Sequence, residues 1–535
     1  MAAVPLAWAA LAALAAGLDA AAWTDLLAQP HWGRAVLHAL VTGLTATVLS
    51  VWITAWILSL TFATRGWQAF TRLLAPMLAV PHAAFAIGLA FLLAPSGWLL
   101  RVLSPWATGL QLPPDWPTTQ DPWGLGLVLA LVGKEVPFLL WTAASQLERA
   151  DAGARWSREL TLACTMGYSR SAAWWRVVWP QLVPRLGAPV LAVAAYSLTV
   201  VDVALVIGPA SPPTAAVLAW QWLLDADAAV NARGAAAAWL LAGLVAAVAL
   251  AMRVLRRASP WRSRWSDGRR GAVEAGPVRA ALPATLLAGL YLAALAVLAV
   301  SSVAGVWPFP RVWPEVISLE GWRSVAGSTG TLTTTLGLAV ASSLTALVWG
   351  VAWLEAAPPA WDARLRRLVY LPLLLPSVLW VVGLHRLALA WHLDGQWAGL
   401  WLAHTLAALP YVLIALSPSY LGFDARYGHI AASLGHGRAA FLLRVKWPLL
   451  RAGLASSLAV AFAVSVAQYL PTVFVGAGRF NTVTTEAVTL ASGGQRSLVA
   501  AYAWLQWLLP AVVFGVAAWA GRRRSFPRMR ASRSV

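Results

Sequence analysis

The sequence predicts an all-α polytopic membrane protein of about twelve transmembrane helices, laid out as two parallel six-helix repeats. Three observations carry that prediction: the composition, the alternation of charge between apolar stretches, and two matching polar loops 268 residues apart.

Of the 535 residues, 60% are hydrophobic and 11% charged, whereas a soluble domain is about 45–50% apolar and about 25% charged. Windows nearly free of charge recur, and roughly 20 apolar residues suffice to span a bilayer. The predicted spans are 3–19, 37–62, 73–98, 124–147, 186–208 and 236–255, then 280–303, 330–356, 368–390, 397–418, 452–475 and 501–520. The first lacks the positively charged n-region of a cleaved signal and reads as a membrane helix, with a signal segment as the alternative. The tryptophans fall largely near span ends, as an interfacial belt does.

The net charge of +19 orients the chain rather than marking a nucleic-acid binder. Every second connection is rich in arginine: Arg65 and Arg72, the loop around Arg170, Arg253 through Arg279, Arg364 to Arg367, the loop around Arg438, and the tail from Arg522. The intervening connections hold one or two each. By the positive-inside rule this puts both termini and both matching loops in the cytoplasm. Cys164 is the single cysteine, so neither a disulfide framework nor a cysteine metal site forms within one chain. No metal site is predicted.

The chain reads as a duplication. Pro81–Gly88 ("PHAAFAIG") matches Pro376–Gly383 ("PSVLWVVG"), the stretch from Pro137 matches the one from Pro410, and Thr42 has a counterpart near Thr334. The order is conserved while the offset drifts from about 292 to 268. An even number of spans per half gives both copies the same orientation, with a pseudo-two-fold axis along the membrane normal. The expected organisation is a first module at 1–255, a basic cytoplasmic linker at 256–279, a second module at 280–520 and a basic tail at 521–535.

The matching loops are Glu159–Leu182 ("ELTLACTMGYSRSAAWWRVVWPQL") and His429–Leu450 ("HIAASLGHGRAAFLLRVKWPLL"). Ala163/Ala431, Gly167/Gly435, Arg170/Arg438, Arg176/Arg444 and Pro180/Pro448 coincide. Arg158–Met166 reads as a short helix with Leu162, Ala163 and Met166 on one face. Gly167 suits a C′ position, because glycine enters the left-handed region without steric cost. Ser169 then caps a second helix through Val178, and Pro180 marks the turn into the next span. The result is a pair of cytoplasmic knobs shaped to dock into a groove.

An alanine, a glycine four residues on and a proline thirteen further on resemble the EAA loop of ABC-importer membrane subunits. Two such modules in one chain resemble the fused ferric-iron and thiamine permeases of bacteria, of the type I importer architecture. The resemblance implies a transport subunit, not an enzyme, of the bacterial inner membrane. Its loop residues Ala163, Gly167, Arg170, Arg176, Pro180, Ala431, Gly435, Arg438, Arg444 and Pro448 would couple to a cytoplasmic ABC ATPase homodimer. It also implies a periplasmic solute-binding protein, and a cargo such as thiamine, a related small solute, or ferric iron. At the family's usual acid this chain has Thr161 and His429. It contains no G-x-x-x-x-G-K-[ST] phosphate loop, since Gly133–Lys134 is followed by Glu135. ATP and magnesium therefore belong on the partner ATPase, and no cofactor is expected on this chain.

Ionisable groups within spans cost about 2.5–3.5 kcal/mol each, which makes them functional candidates. Lys134, Glu135, Asp202, Arg386 and His404, with Gln468 and Tyr469, are the candidate pathway-lining residues. Two readings stand for the charges: Lys134 or Glu135 pairs with Asp202 or Arg386 as buried glue or snorkels outward, or they line a polar cavity. His82, following Pro81 at a bend, reads as a satisfied bundle histidine. A proton-coupled secondary transporter of twelve spans is the alternative function. A membrane enzyme is disfavoured by the lack of H-E-x-x-H or G-x-S-x-G.

Overall fold

A computed structural model describes residues 3–64, 66–147, 150–258, 277–357 and 368–522. Most of the basic linker (259–276), the tail from 523, and Arg65, Arg364, Arg366 and Arg367 lie outside the described residues.

The described chain is helical, with one isolated bridge, Ala304 to Ile317, in a connecting loop. Nine helices among the described residues are long and apolar enough to cross a bilayer, and eleven crossings result if two bent pairs each count as one. The exact count of twelve is not confirmed, because local breaks bend or shorten some of the expected spans. The predicted first span is the pair Ala3–Ala16 and Ala20–Ala28, bent by 62°. The predicted ninth is interrupted at Leu375–Pro376, leaving Ser377–Ala390 with 14 residues, or about 21 Å at 1.5 Å per residue. Pro81 makes the matching break in the first half, between Trp67–Ala79 and His82–Leu93. Proline has no N–H for the carbonyl four residues back, and its ring crowds that carbonyl.

Side-chain size is sorted as lipid demands. On Trp32–Thr61, Leu37, Val41, Leu44, Val48 and Trp52 form one exposed stripe, while Ala35, Ala39, Thr42, Ala46 and Ser50 are buried. The matching helix Thr329–Ala356 exposes Leu336, Val340, Leu344 and Val348 and buries Thr335, Ala339, Ser342 and Ala346. Lipid tails are as apolar as leucine, so helix association rests on close packing, and small residues take the inner face.

The order of elements recurs in the two halves. Trp32–Thr61 and Thr329–Ala356, Leu125–Leu147 and Trp397–Leu421, Ala215–Leu223 and Val483–Ala491, and Ala228–Ala258 and Arg496–Arg522 occupy matching places. The first helix of each half crosses over: Ala3–Ala16 packs on Ser377–Ala390, and Pro277–Ser302 packs on His82–Leu93. Both fifth spans break at the same point, Gly187–Thr199 before Asp202–Ile207, and Arg451–Val466 before Leu470–Gly476. Not every tryptophan belongs to a belt, since Trp156 and Trp174 are fully buried under the first polar loop.

Candidate functional site

The two polar loops fold alike. The first opens with the helix Ala150–Thr165 and the second with the shorter Arg426–Ser433. Each ends in a left-handed glycine, Gly167 at φ 89° and Gly435 at φ 75°. Gly167 N–H donates to Cys164 O and Tyr168 N–H to Ala163 O, while Gly435 donates to Ala432 O and His436 to Ala431 O. This crossed pair of bonds satisfies the orphan carbonyls of a helix end and requires positive φ at the C′ residue. Ser169 Oγ then accepts from Ala172 N–H at 3.2 Å, capping the next helix as expected. Gly437 holds that place in the second copy.

Both copies next widen into one π-helical turn, Trp174–Val178 and Leu442–Lys446, before Pro180 and Pro448. A proline ring crowds the carbonyl of residue i−4, here Arg176 or Arg444, and an i→i+5 turn gives that carbonyl room. The prolines therefore sit inside a helical run rather than at its turn. In the second copy the 76° bend comes between Leu449 and Arg451.

The face predicted from helical spacing is divided. Ala163 and Ala431 are buried, while Leu162 and Met166, and at matching positions Ile430 and Leu434, are exposed. Two exposed apolar residues one turn apart thus crown each knob. Thr161 and His429 lie beside them on the open face.

Two of the loop arginines reach back to the second span of their own half. Arg170 donates to Phe62 O at the end of Trp32–Thr61, and Arg438 Nη2 donates to Glu355 O at 2.9 Å near the end of Thr329–Ala356. In each half the arginine reaches the last carbonyls of the second span, where the helix dipole favours a cation. The second copy adds a carboxylate latch: Glu355 takes hydrogen bonds from Lys446 Nζ (2.7 Å), Tyr420 OH (2.8 Å) and Arg438 (3.1 Å). In the first copy Glu159 takes one from Gln181 (2.7 Å) and pairs with Arg155, and Gln181 also accepts from Trp156. The acids that hold the loops thus stand elsewhere than Thr161 and His429. Arg176 lies over the Tyr168 ring at 5.7 Å, and Arg444 is exposed. At the surface, Asp424 is held below the usual carboxylate range by hydrogen bonds from the Arg426 side chain and backbone.

Deeper in the bundle, the structure separates the predicted intramembrane charges. Lys134 and Glu135 are both buried, yet Lys134 Nζ donates to Met77 O (3.1 Å) and Val80 O (2.6 Å). Met77 O is the carbonyl that Pro81 cannot engage, so the ammonium repairs the proline break. Glu135 Oε1 instead faces His82 Nε2 at 3.5 Å. The His82 ring lies 4.7 Å from that of Tyr196.

Gln468 and Tyr469 sit on the break of the eleventh span, the sequence counterpart of the break before Asp202 in the fifth. His404 stands apart. It is fully buried, with Nδ1 on Ser465 Oγ (2.9 Å) and Nε2 on Thr472 Oγ1 (3.0 Å), so both nitrogens are engaged inside the second half. Arg386 lies on Ser377–Ala390 beside His385, half-buried. Tyr196, whose ring meets that of His82, was not legible as a site residue.

No protein-family model matches the chain. Over 528 residues it is 36% identical to the inner membrane ABC transporter permease protein YnjC of Escherichia coli (strain K12), which covers 97% of this chain and 94% of that protein.

Proposed function

The chain belongs to the inner-membrane permeases of ABC transporters, and from that premise we propose that it forms the whole translocation pathway of an importer and is driven by a separate ATPase. Residues 1–255 and 280–520 act as two six-helix modules that rock about the membrane normal. Both termini and both polar loops face the cytoplasm, as the arginine distribution requires.

The observation that carries the reading is the duplicated knob. The same glycine turn, the same π turn and the same exposed apolar pair occur twice, 268 residues apart. One copy of an ATPase homodimer offers one groove, so two matching grooves call for two matching knobs. Burying Leu162, Met166, Ile430 and Leu434 there stabilises the contact by about 1.5–3 kcal/mol per fully buried side chain. Arg170 and Arg438 carry the motion onward, because each ties its knob to the end of its own second span. ATP and magnesium are bound and hydrolysed on the partner. A periplasmic solute-binding protein delivers cargo of the kind the fused permeases carry: thiamine, a related small solute, or ferric iron. With the family established, the proton-coupled alternative is set aside.

The test is capture of the cognate ATPase by the full-length permease carrying Leu162→Asp, Met166→Asp, Ile430→Asp and Leu434→Asp together. Capture should fall to background, while each two-residue loop variant should retain part of it. Unchanged capture and uptake in the fourfold variant would sink the coupling assignment.

A further inference from the structure

Both fifth spans are broken at matching places, but among the described residues only the second break is bridged by side-chain hydrogen bonds. His404, on Trp397–Leu421, is fully buried. Its Nδ1 lies 2.9 Å from Ser465 Oγ before the break, and its Nε2 lies 3.0 Å from Thr472 Oγ1 after it. Ser465 Oγ lies in turn 2.9 Å from Ser342 Oγ on Thr329–Ala356. One imidazole thus joins both pieces of the broken span to the second and fourth spans of its half.

The protons of this chain run in one direction. Thr472 O–H donates to Gln468 O at 3.0 Å, so its oxygen accepts from His404 and the ring proton sits on Nε2. Nδ1 then accepts from Ser465, and Ser465 accepts from Ser342. The reverse order would give up the bond to Gln468 O and send the Ser342 proton to Ala339 O, 3.5 Å away. A neutral imidazole has one donor and one acceptor, so the forward order satisfies every member. A fully satisfied buried network is rigid. A second tie sits beside it: the Thr484 hydroxyl donates to Val466 O, the end of Arg451–Val466, and Gln506 Nε2 donates to Thr484 Oγ1 at 2.9 Å.

The duplication supplies an internal control. By the spacings of the repeat, Ser342 and Ser465 correspond to Ser50 and Ser197. His404, Thr472, Thr484 and Gln506 correspond to Leu131, Ala204, Ala216 and Ala238. The hydroxyls of Ser50 and Ser197 are buried and have no hydrogen-bond partner. The first half therefore keeps two serines of the network and lacks the groups that join them across the break. An interrupted helix bends where its freed backbone groups are not held by neighbours.

We infer that His404 is a positioning residue that locks the broken eleventh span, and that the motion of transport is taken up at the unlocked break of the fifth span, Val200 and Val201. The two halves share one plan and move unequally: the first bends, and the second is the frame it bends against. A hinge is a few residues that absorb a change of backbone angles, and no buried side-chain relay has to be broken at the first break. This inference rests on the chain being the translocation pathway, and it names where that pathway moves.

The test uses the full-length permease in lipid nanodiscs, alone and with the cognate ATPase. It is read by backbone hydrogen exchange and by nitrogen NMR of isotope-labelled histidine. The signal lost in His404→Leu should be that of a neutral ring protonated at Nε2. In the permease alone, amides at 200–207 should exchange about tenfold or more faster than those at 467–476, because opening the second break leaves buried polar groups unpaired. His404→Leu, which copies Leu131, should raise exchange at 467–476 by about tenfold and leave 200–207 unchanged. Should that variant fail to fold, Thr472→Ala, which copies Ala204, opens the same link and should act in the same way. In the complex, trapping with ATP and vanadate should change exchange at 200–207 and spare 467–476.

A ring protonated at Nδ1 or at both nitrogens, equal exchange at the two breaks, or indifference of 467–476 to both variants overturns the lock. Trapping that alters 467–476 as much as 200–207, or alters neither, overturns the hinge and leaves the transport reading. Failure of the wild type to capture the ATPase removes the transport reading itself, and the hinge with it.

Discussion

Gly383 lies so close to Ala9 that a Cβ on it would stand 2.2 Å from the Ala9 carbonyl oxygen. The matching glycine, Gly88, would place its Cβ 2.7 Å from the carbonyl oxygen of Ala294. Each glycine closes one of the repeated proline-to-glycine stretches, and each seats the first helix of the opposite half. The halves are thus joined by a reciprocal exchange of their first helices, and each glycine marks a close approach within it.

Gly383→Ala should therefore destabilise the protein by about 1–3 kcal/mol, the usual cost of overpacking. The colliding atom belongs to backbone and has no rotamer to escape into. Gly337→Ala, on Thr329–Ala356 with nothing within 4 Å of its Cβ position, should be neutral or slightly stabilising. Thermal unfolding in nanodiscs compares the two, and a Gly383→Ala protein as stable as the wild type refutes the close approach.

Lys134→Met should cost about 1–3 kcal/mol for each carbonyl left unsatisfied in the bundle. The sharper measurement is a double-mutant cycle with Pro81→Ala. Alanine restores an N–H for Met77 O, so Lys134→Met should cost less in that background. Strict additivity of the two substitutions would show that the ammonium does not serve the proline break.

Gly435→Ala should weaken ATPase capture through the backbone alone. Nothing lies within 4 Å of its Cβ position, but its φ of 75° costs an L-residue about 1–2 kcal/mol. Gly437→Ala is the matched control, equally open but at φ −68°. Equal capture by both variants would remove the left-handed turn from the account.

Glu355→Gln should loosen one loop and spare the other. It weakens the contacts to Lys446 and Arg438, so backbone hydrogen exchange over 438–449 should quicken while that over 170–182 stays unchanged. Equal change in both loops, or in neither, would mean that Glu355 does not latch the second knob.

The duplicated loop was legible in detail. The glycine at C′ and the cap at Ser169 followed from local rules that need only a few neighbouring residues. The inward turn of Ala163 was not legible, because helical spacing groups residues on a face without saying which part of it a neighbour covers. Nor was the reach of Arg170 and Arg438 to the second span, whose partners at Phe62 and Glu355 lie 108 and 83 residues away. The break at Pro376 was not legible in the predicted ninth span, because hydropathy averages over a break that the backbone cannot ignore.

What the sequence determined by itself was the apolar helical character and the position of the two matching loops along the chain. Both are written in runs of neighbouring residues and need no distant partner. The tertiary structure alone decided what each buried charge does. Lys134 and Glu135 are neighbours in sequence, yet one repairs a proline break and the other faces the His82 imidazole. Adjacent side chains on a helix point about 100° apart, so their fates depend on which helices pack on each side, and that is settled only when the two halves exchange their first helices.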